Sequence, residues 1–514
     1  MFTYHLTPMA NFMNLAFTFL MHALLPSLIS IIVLLVLHCR KKFRWLYNND
    51  GDDEIVPPGE LGLPWIGETI EFYKALQKNR LFEDFIAPRI QKHGKTFKTR
   101  LIGCPTIVVN GAEANRFFLS NEFKLVVSSW PSSSVQLMGK NSIMEKTGEK
   151  HRLIRSILAP CLGNAGLEAL VPKVCEVIKA HLLKNWGGNN NSIINEEEEK
   201  IIPLYKTAKF LTFKVICECL LEMEAKEELF ECFERVLEGV FAPLVNVPGT
   251  SFWRAKRARA KIEKVLVNVV RNKRKDMEEK QQELGDESES ETLSSLLSRL
   301  VGALIRGEIT EVEVVDNVVL LIFAAHDTTS FAVAMTFKML AHNPHCYSLL
   351  LQEHNDIKAN KTKEAENLTM EDVMRMKYTW QVARESIRLC PPIFGSFRRA
   401  ICDIKFDGFT IPKGWKVLWT AYGTHLSEEY FRDPMRFDPS RFEEPISPYV
   451  YVAFGGGPRV CVGYQLAKLN ILIFVHLVVT YYNWSLVQPN EPIVMDPLPF
   501  PSQGMPIKIS PKTC

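Results

Sequence analysis

The sequence predicts a mainly α-helical body with small β-sheets, preceded by one N-terminal transmembrane helix. Three observations carry that expectation. Long amphipathic or apolar stretches at residues 167–185, 204–221, 251–281, 311–341 and 370–389 dominate the chain, and they are too long for strands. Strand-like pieces are short and gather at residues 97–109 and 405–420, which points to one small sheet near the start and another late. Finally, residues 1–39 hold no Lys, Arg, Asp or Glu.

Within that uncharged region residues 15–37 are almost continuously apolar, broken by Thr18, His22, Pro26, Ser27 and Ser30. As a helix the stretch is about 35 Å long, enough to cross a hydrocarbon core of about 30 Å. Arg40, Lys41, Lys42 and Arg44 follow it. Basic flanks stay on the cytosolic side, so the body is expected to face the cytosol. A cleaved signal peptide would carry its charge before the apolar run and end at a small-residue site, and neither fits. Residues 1–44 are therefore expected to form a membrane anchor with a basic flank. Residues 45–60 read as a linker, acidic first and then stiffened by Pro57-Pro58-Gly59. Residues 61–514 form the body, without a repeat of fixed period or a second boundary. The sequons at Asn190, Asn360, Asn367 and Asn483 would go unused in a cytosolic body.

Composition narrows the function. A 47% hydrophobic chain with 10% aromatic residues excludes wholesale disorder, and a net charge of +3 over 514 residues excludes a nucleic-acid surface. The 12 cysteines form no CxxC pair. That dispersal reads as a reduced protein with one thiol of chemical importance. Residues 188–200 and 278–291 are polar and charged, and read as surface loops or helix ends.

The informative thiol is Cys461, in Phe454-Gly-Gly-Gly-Pro-Arg-Val-Cys461-Val-Gly463. A lone cysteine is ordinarily a small buried hydrophobe. Here three glycines allow close backbone approach to a bulky planar ligand. Gly463 opens the apolar stretch 462–478, and a helix start supplies free N–H groups that stabilise a thiolate. Arg459 adds positive charge beside it. The set suits a metal-bound thiolate.

FxxGxRxCxG resembles the haem-binding signature of the cytochrome P450 monooxygenases. Its five fixed letters recur by chance in roughly one such chain in several thousand. Glu385-Ser-Ile-Arg388 matches the family's ExxR, and Phe437-Asp-Pro-Ser-Arg441-Phe442 its FxPxRF. An isolated ExxR is ordinarily a solvent-facing helix pair. In this order before the cysteine loop, the resemblance implies that Glu385, Arg388 and Arg441 form the cluster that holds the segment beneath the haem. It also implies the P450 fold, haem b with Cys461 as the axial thiolate, and Phe454, Arg459 and Gly463 as parts of the cofactor loop.

Two further segments resemble the family's propionate-binding elements. In Gly148-Glu-Lys-His151-Arg-Leu-Ile-Arg155, His151 and Arg155 share a helix face, and Arg can grip a carboxylate through two bonds. In Phe397-Arg398-Arg399-Ala400, Arg398 is the better aligned arginine and Arg399 its competitor. In the apolar stretch 314–340, Phe323-Ala-Ala-His-Asp327-Thr328-Thr329 resembles [A/G]GxDTT. Polar groups in such a helix are costly unless satisfied, which makes them functional candidates. The resemblance implies that Thr328 hydrogen-bonds dioxygen and Asp327 feeds it protons. Ala325 replaces the usual glycine, where a methyl would tighten the oxygen-side pocket. His326 is expected near the helix surface. His342, His345 and Cys346 surround Asn343-Pro344, which reads as a turn and not a zinc site.

The resemblance further implies electrons from NADPH through a membrane-bound NADPH–cytochrome P450 reductase, and a single-pass place in the endoplasmic reticulum membrane. The expected pocket segments, residues 126–137, 322–325, 392–396 and 500–505, are mostly apolar with a few polar anchors, which suits a lipophilic multi-ring substrate. Residues 57–68, Phe323–Ser330 and Phe454–Gly463 together look like the plant group of triterpenoid oxidases, taxane hydroxylases and brassinosteroid hydroxylases. The expected reaction is hydroxylation or successive oxidation of a terpenoid or sterol-like skeleton by O2. Two alternatives are a haem-thiolate isomerase or dehydratase of fatty hydroperoxides, and a non-catalytic membrane-tethered haem protein. Relatives of the former kind tend to lose the acid–alcohol pair, which is present here.

Overall fold

A capping box opens the helix around which the fold is built. Thr310 Oγ1 accepts the Glu313 N–H, and Glu313 returns a carboxylate to the Thr310 N–H at 2.9 Å. The helix then runs over Glu311–His342 and stops at Asn343, because Pro344 has no N–H to continue it. Proline is well suited to a first helical position, and Pro344–Ala359 starts there. The turn expected at Asn343-Pro344 is thus a one-residue break between helices. The computed structural model describes residues 27, 29–30, 33–34, 55–63, 65–186, 200–284, 295–360, 368–496 and 498–512.

Helices Leu204–Val215, Ser251–Leu284, Lys377–Leu389 and Tyr464–Tyr481 pack against this central helix. The central helix and Tyr464–Tyr481 are apolar and long enough to cross a membrane, but each is mostly buried by the body. They form its core. The other expected helices hold with local breaks. Residues 167–185 divide into Asn164–Glu168 and Val171–Trp186, and residues 370–389 divide at Met376. Leu204–Val215 widens into a π-turn over Ile216–Leu220.

The strands correct one expectation. Of β1 (Thr96–Leu101), β2 (Cys104–Val109), β3 (Val126–Ser128), β4 (Lys200–Pro203), β5 (Gly395–Ala400), β6 (Ile404–Phe406), β7 (Phe409–Ile411) and β8 (Lys416–Thr420), β6 and β7 form a late pair of their own, but β1 and β2 do not make a separate early sheet. One five-stranded sheet has the order β1-β2-β8-β5-β3, with β2 and β8 parallel from Thr106 opposite Lys416. The reason is burial. Val108, Val109, Val417 and Leu418 are covered on both faces, and an unpaired edge between them would leave backbone groups unsatisfied.

Pro58 of the expected linker accepts the Lys98 N–H at 2.7 Å, so residues 58–59 are docked on β1. Residues 45–54 and all but five positions of the expected anchor lie outside the described residues. So do residues 187–199 and 285–294, from the two polar segments.

Candidate active site

The cysteine loop is a run of backbone constraints. Gly455 and Gly457 hold positive φ, at 72° and 63°. A Cβ on Gly457 would lie 1.9 Å from the Leu119 carbonyl oxygen, so only glycine lets the loop seat on helix Ala112–Ser120. Phe454 accepts the Cys461 N–H at 2.9 Å, which closes the loop, and its ring meets Tyr464 edge-on. Gly463 caps Tyr464–Tyr481, two residues later than the apolar run begins. Burial pushes the Cys461 thiol up, while the Gly463 N–H and Arg155 draw it down. Yet the side chain is exposed, so it lines an open space inside the fold.

A second open face lies on the central helix. Between Ile322 and Phe337 every residue is buried except Phe323, Ala324, Ala325 and Thr328, and Ala324 is exposed outright. The helix runs unbroken through Ala325, and Thr328 Oγ1 donates to the Ala324 carbonyl at 2.8 Å. Small side chains left uncovered in the core of a protein mark space held for something else.

Positive charge gathers beside the cysteine loop. Arg459 donates to Glu122 at 2.7 Å and to the Met144 and Lys146 carbonyls at 3.1 and 2.8 Å. Arg398 pairs with the other Glu122 oxygen at 2.6 Å and donates to Ser396. Strand alternation buries Arg398 and exposes Arg399, which separates the two candidates. His151 is buried against Phe123, and burial pushes its pKa down to about 4, so the ring is neutral. Arg155 is half-buried with no hydrogen bond or ion pair among the described residues; burial lowers it and Cys461 pulls it back. Two of these three guanidiniums thus share Glu122, and Arg155 touches no carboxylate among the described residues.

The structure also brings Glu385, Arg388 and Arg441 together. Arg388 grips Glu385 through Nε at 2.6 Å and Nη2 at 2.8 Å, and its remaining donors reach the His425 and Pro434 carbonyls. Arg441 Nε lies 3.3 Å from Glu385, which also accepts the Asp438 N–H at 2.9 Å. One buried carboxylate therefore fastens helix Lys377–Leu389 to residues 433–441.

Asp327 sits in a setting the sequence did not suggest. Its carboxylate is buried and lies 2.7 Å from Lys209 Nζ, on helix Leu204–Val215. His326, expected near the surface, is fully buried instead, ringed by Phe213, Phe230, Phe233 and Phe323. Its partners explain this: Asp327 and Glu234 face Nε2, and Nδ1 meets the Ile322 carbonyl at 2.8 Å. Sequence reasoning missed Glu122, Lys209 and Glu234. None sits in a motif, and each meets its partners only through the fold.

A family model described as Cytochrome P450 matches residues 57–510. The chain belongs to the cytochrome P450 family. This P450 is 38% identical to a taxane 13-alpha-hydroxylase of Taxus cuspidata over 88% of this chain and 92% of that protein. Cytochrome P450 716A1 of Arabidopsis thaliana is 38% identical over 89% of this chain and 93% of its own. A protopanaxadiol 6-hydroxylase of Panax ginseng is 35% identical over 94% and 98%. Among solved structures, a retinoic acid-bound cyanobacterial CYP120A1 superposes with a TM-score of 0.76 at 30% identity, covering 90% of this chain and all of that one. The P450 fold and the monooxygenase class follow, and with them a haem-thiolate iron. The residues present fit that group. An uncovered thiol supported by an N–H, a face of small side chains, and guanidiniums in excess over carboxylates suit a planar ligand with acidic arms.

Proposed function

We propose that this P450 hydroxylates, or successively oxidises, a triterpenoid, diterpenoid or sterol-like skeleton, drawing electrons from NADPH through a membrane-bound reductase. One observation carries the reading: relatives similar along nearly their whole length are named as hydroxylases of taxanes and of protopanaxadiol. The mostly apolar segments expected around the pocket agree with it.

Bound haem supplies dioxygen activation, with thiolate electron donation favouring O–O cleavage. The rest falls to this chain. Cys461 is the ligand, and the Gly463 N–H favours its thiolate. Arg155, Arg398, Arg459 and His151 receive the acidic arms, with Glu122 orienting two of the arginines. Phe454 and the glycines shape the loop, and Glu385, Arg388 and Arg441 brace the segment before it. Thr328 presents a hydroxyl to the open face and Asp327 supplies its proton. Residues 1–44 tether the catalytic domain, residues 61–514, to the cytosolic face of the endoplasmic reticulum through a single span. Exposed Phe241, Leu244, Val245 and Val247 give the body an apolar patch of its own to lay on lipid.

The test is mass spectrometry of membranes carrying this protein and a reductase, given NADPH and a panel of triterpenoids, diterpenoids and sterols. An NADPH-dependent product one oxygen heavier is expected. No product from membranes with a normal ferrous–CO thiolate spectrum would discard the substrate class. Product formed from a fatty hydroperoxide without NADPH would replace it with isomerase or dehydratase chemistry.

A further inference from the structure

Lys209, Glu234, His326 and Asp327 close a ring of alternating charge. Lys209 Nζ lies 2.7 Å from both Asp327 Oδ1 and Glu234 Oε2. Opposite it, His326 Nε2 lies 3.2 Å from Asp327 Oδ2 and 3.5 Å from Glu234 Oε1. The trio Glu234, His326 and Asp327 has the spacing of a metal site, but Lys209 already stands between the carboxylates as their cation.

The geometry decides the state of the imidazole. Nδ1 faces a carbonyl and Nε2 faces two carboxylates, so every neighbour is an acceptor. A ring with a free lone pair would aim it at oxygen; a ring in this setting carries both protons. The charged or titratable groups around it are Asp327 on its own helix, Glu234 on Glu227–Leu237, and Lys209 and Tyr205 on Leu204–Val215. Burial alone would depress His326, but Asp327 and Glu234 more than offset it and hold the ring above ordinary imidazole. Burial keeps Tyr205 neutral.

Access is uneven. Lys209, His326 and Asp327 have almost no exposed side-chain surface, whereas Glu234 leaves 35% of its side chain open. We propose that Glu234 and His326 are the inner end of a proton path that supplies Asp327 from solvent. The inference rests on the proposed role of Asp327. His326 Nε2–H gives its proton to Asp327 Oδ2, breaking an N–H and forming an O–H. Solvent then protonates the partly exposed Glu234 carboxylate, and that O–H breaks as the emptied Nε2 regains its proton, which returns Glu234 to the anion. The first transfer neutralises a cation and an anion together, so no uncompensated charge is left buried. Lys209 stays charged throughout and keeps the two carboxylates apart. Glu234 and His326 are positioning residues here, since they act through Asp327.

Two measurements on the full-length, haem-loaded chain in membranes test this. The first is nitrogen NMR of labelled histidine, with His326→Asn identifying the signal. Both ring nitrogens protonated at neutral pH is the expected result, and a neutral ring overturns the proposal. The second compares wild type with Glu234→Gln in the presence of reductase, reading the peroxide released per NADPH consumed. The variant is expected to raise that share about threefold, a modest part of what a positioned proton donor contributes, and Glu234→Asp is expected to restore it. Unchanged peroxide in Glu234→Gln with an intact thiolate spectrum overturns the path and leaves the ring merely structural. If Glu234→Gln loses that spectrum, the pH profile of NADPH consumption in the unaltered chain decides. It should fall as pH rises through the raised His326 value, and a flat profile overturns the proposal. Neither measurement needs a product, so failure to oxidise a terpenoid stays separable from failure of the path.

Discussion

Glu122 Oε2 lies 2.6 Å from Arg398 Nε, and both side chains are almost completely withdrawn from solvent. The other carboxylate oxygen holds Arg459, in the cysteine loop, and accepts the Ser128 N–H at 3.0 Å. One acid therefore joins β5, β3 and the loop that carries Cys461. Burial works against the charge on Arg398, and Glu122 is the group that opposes it.

Glu122→Ala should accordingly cost about 3 kcal/mol, the lower end for breaking a buried ion pair, because Arg459 keeps its carbonyl acceptors and Arg398 keeps Ser396. Denaturant unfolding of the purified protein reads the loss, and haem content per chain should fall with it. A variant within experimental error of wild type in both would show that Glu122 is incidental.

Gly457→Ala and Gly455→Ala separate two kinds of glycine requirement. Both positions need a left-handed backbone, which costs alanine about 1 kcal/mol. At Gly455 the nearest atom to a new Cβ is 4.0 Å away, so little else is expected. At Gly457 the methyl meets the Leu119 carbonyl at 1.9 Å, and the loop must lift from its helix. Gly457→Ala should therefore lose the ferrous–CO thiolate spectrum at a temperature where Gly455→Ala retains it. Equal behaviour would mean that the Leu119 contact does not position Cys461.

These residues mark what the sequence could disclose. Cys461, the glycines around it and the Glu385–Arg388 pair lie in short motifs, where spacing alone predicts proximity. Arg398 could be ranked above Arg399, and strand alternation supplies the physical reason. Glu122 has no such signal: its partners lie 276 and 337 positions further along the chain, and only the folded chain unites them. His326 was misread because a histidine in an apolar helix is costly to bury unless its partners are known, and those partners sit on other helices. The early strands were read as a sheet of their own for the same reason, since the parallel pairing of β2 with β8 spans some 300 residues.

Arg388→Lys keeps the charge but not the planar fork. Arg388 spreads its donors over Glu385 and the His425 and Pro434 carbonyls, all without solvent access to its side chain. An ammonium reaches fewer of these acceptors and leaves the others buried and unpaired, at about 1–3 kcal/mol for each. The expected outcome is a chain that binds little haem and is cut early by protease within residues 425–441. Wild-type haem content would contradict the bracing role.

Thr328 donates to the Ala324 carbonyl, so its hydroxyl is held on the open side of the central helix. Thr328→Ala removes the hydroxyl without disturbing packed neighbours, and folding should be unaffected. NADPH consumption should continue while product falls about a hundredfold and peroxide rises, the lower end for loss of one positioned proton donor. Thr328→Ser should retain most of the coupling. Unchanged coupling in Thr328→Ala would remove the hydroxyl from the proposed chemistry.

His181 and His425 make stability dependent on acid. Burial is the main cause in both, pushing His181 down to about 4 and His425 down to about 3. His425 Nε2 accepts the Val452 N–H at 3.0 Å, and His181 Nδ1 faces the Asn185 amide at 3.2 Å, so each ring is used in its neutral form. The unfolded chain binds a proton at each below the ordinary value of 6.5, whereas the folded chain does not until near 4 or lower. Unfolding therefore takes up protons in this window, and stability falls as pH falls. At about pH 5 each ring contributes a loss of up to about 2 kcal/mol relative to neutral pH. His326 has the opposite sign: its raised value favours the folded state below 6.5 and fades as pH rises through the folded value. Denaturant midpoints followed from neutral pH to about pH 5 should drop, with proton uptake on unfolding. A midpoint that rises over that range would mean that His326, not His181 and His425, dominates the acid response.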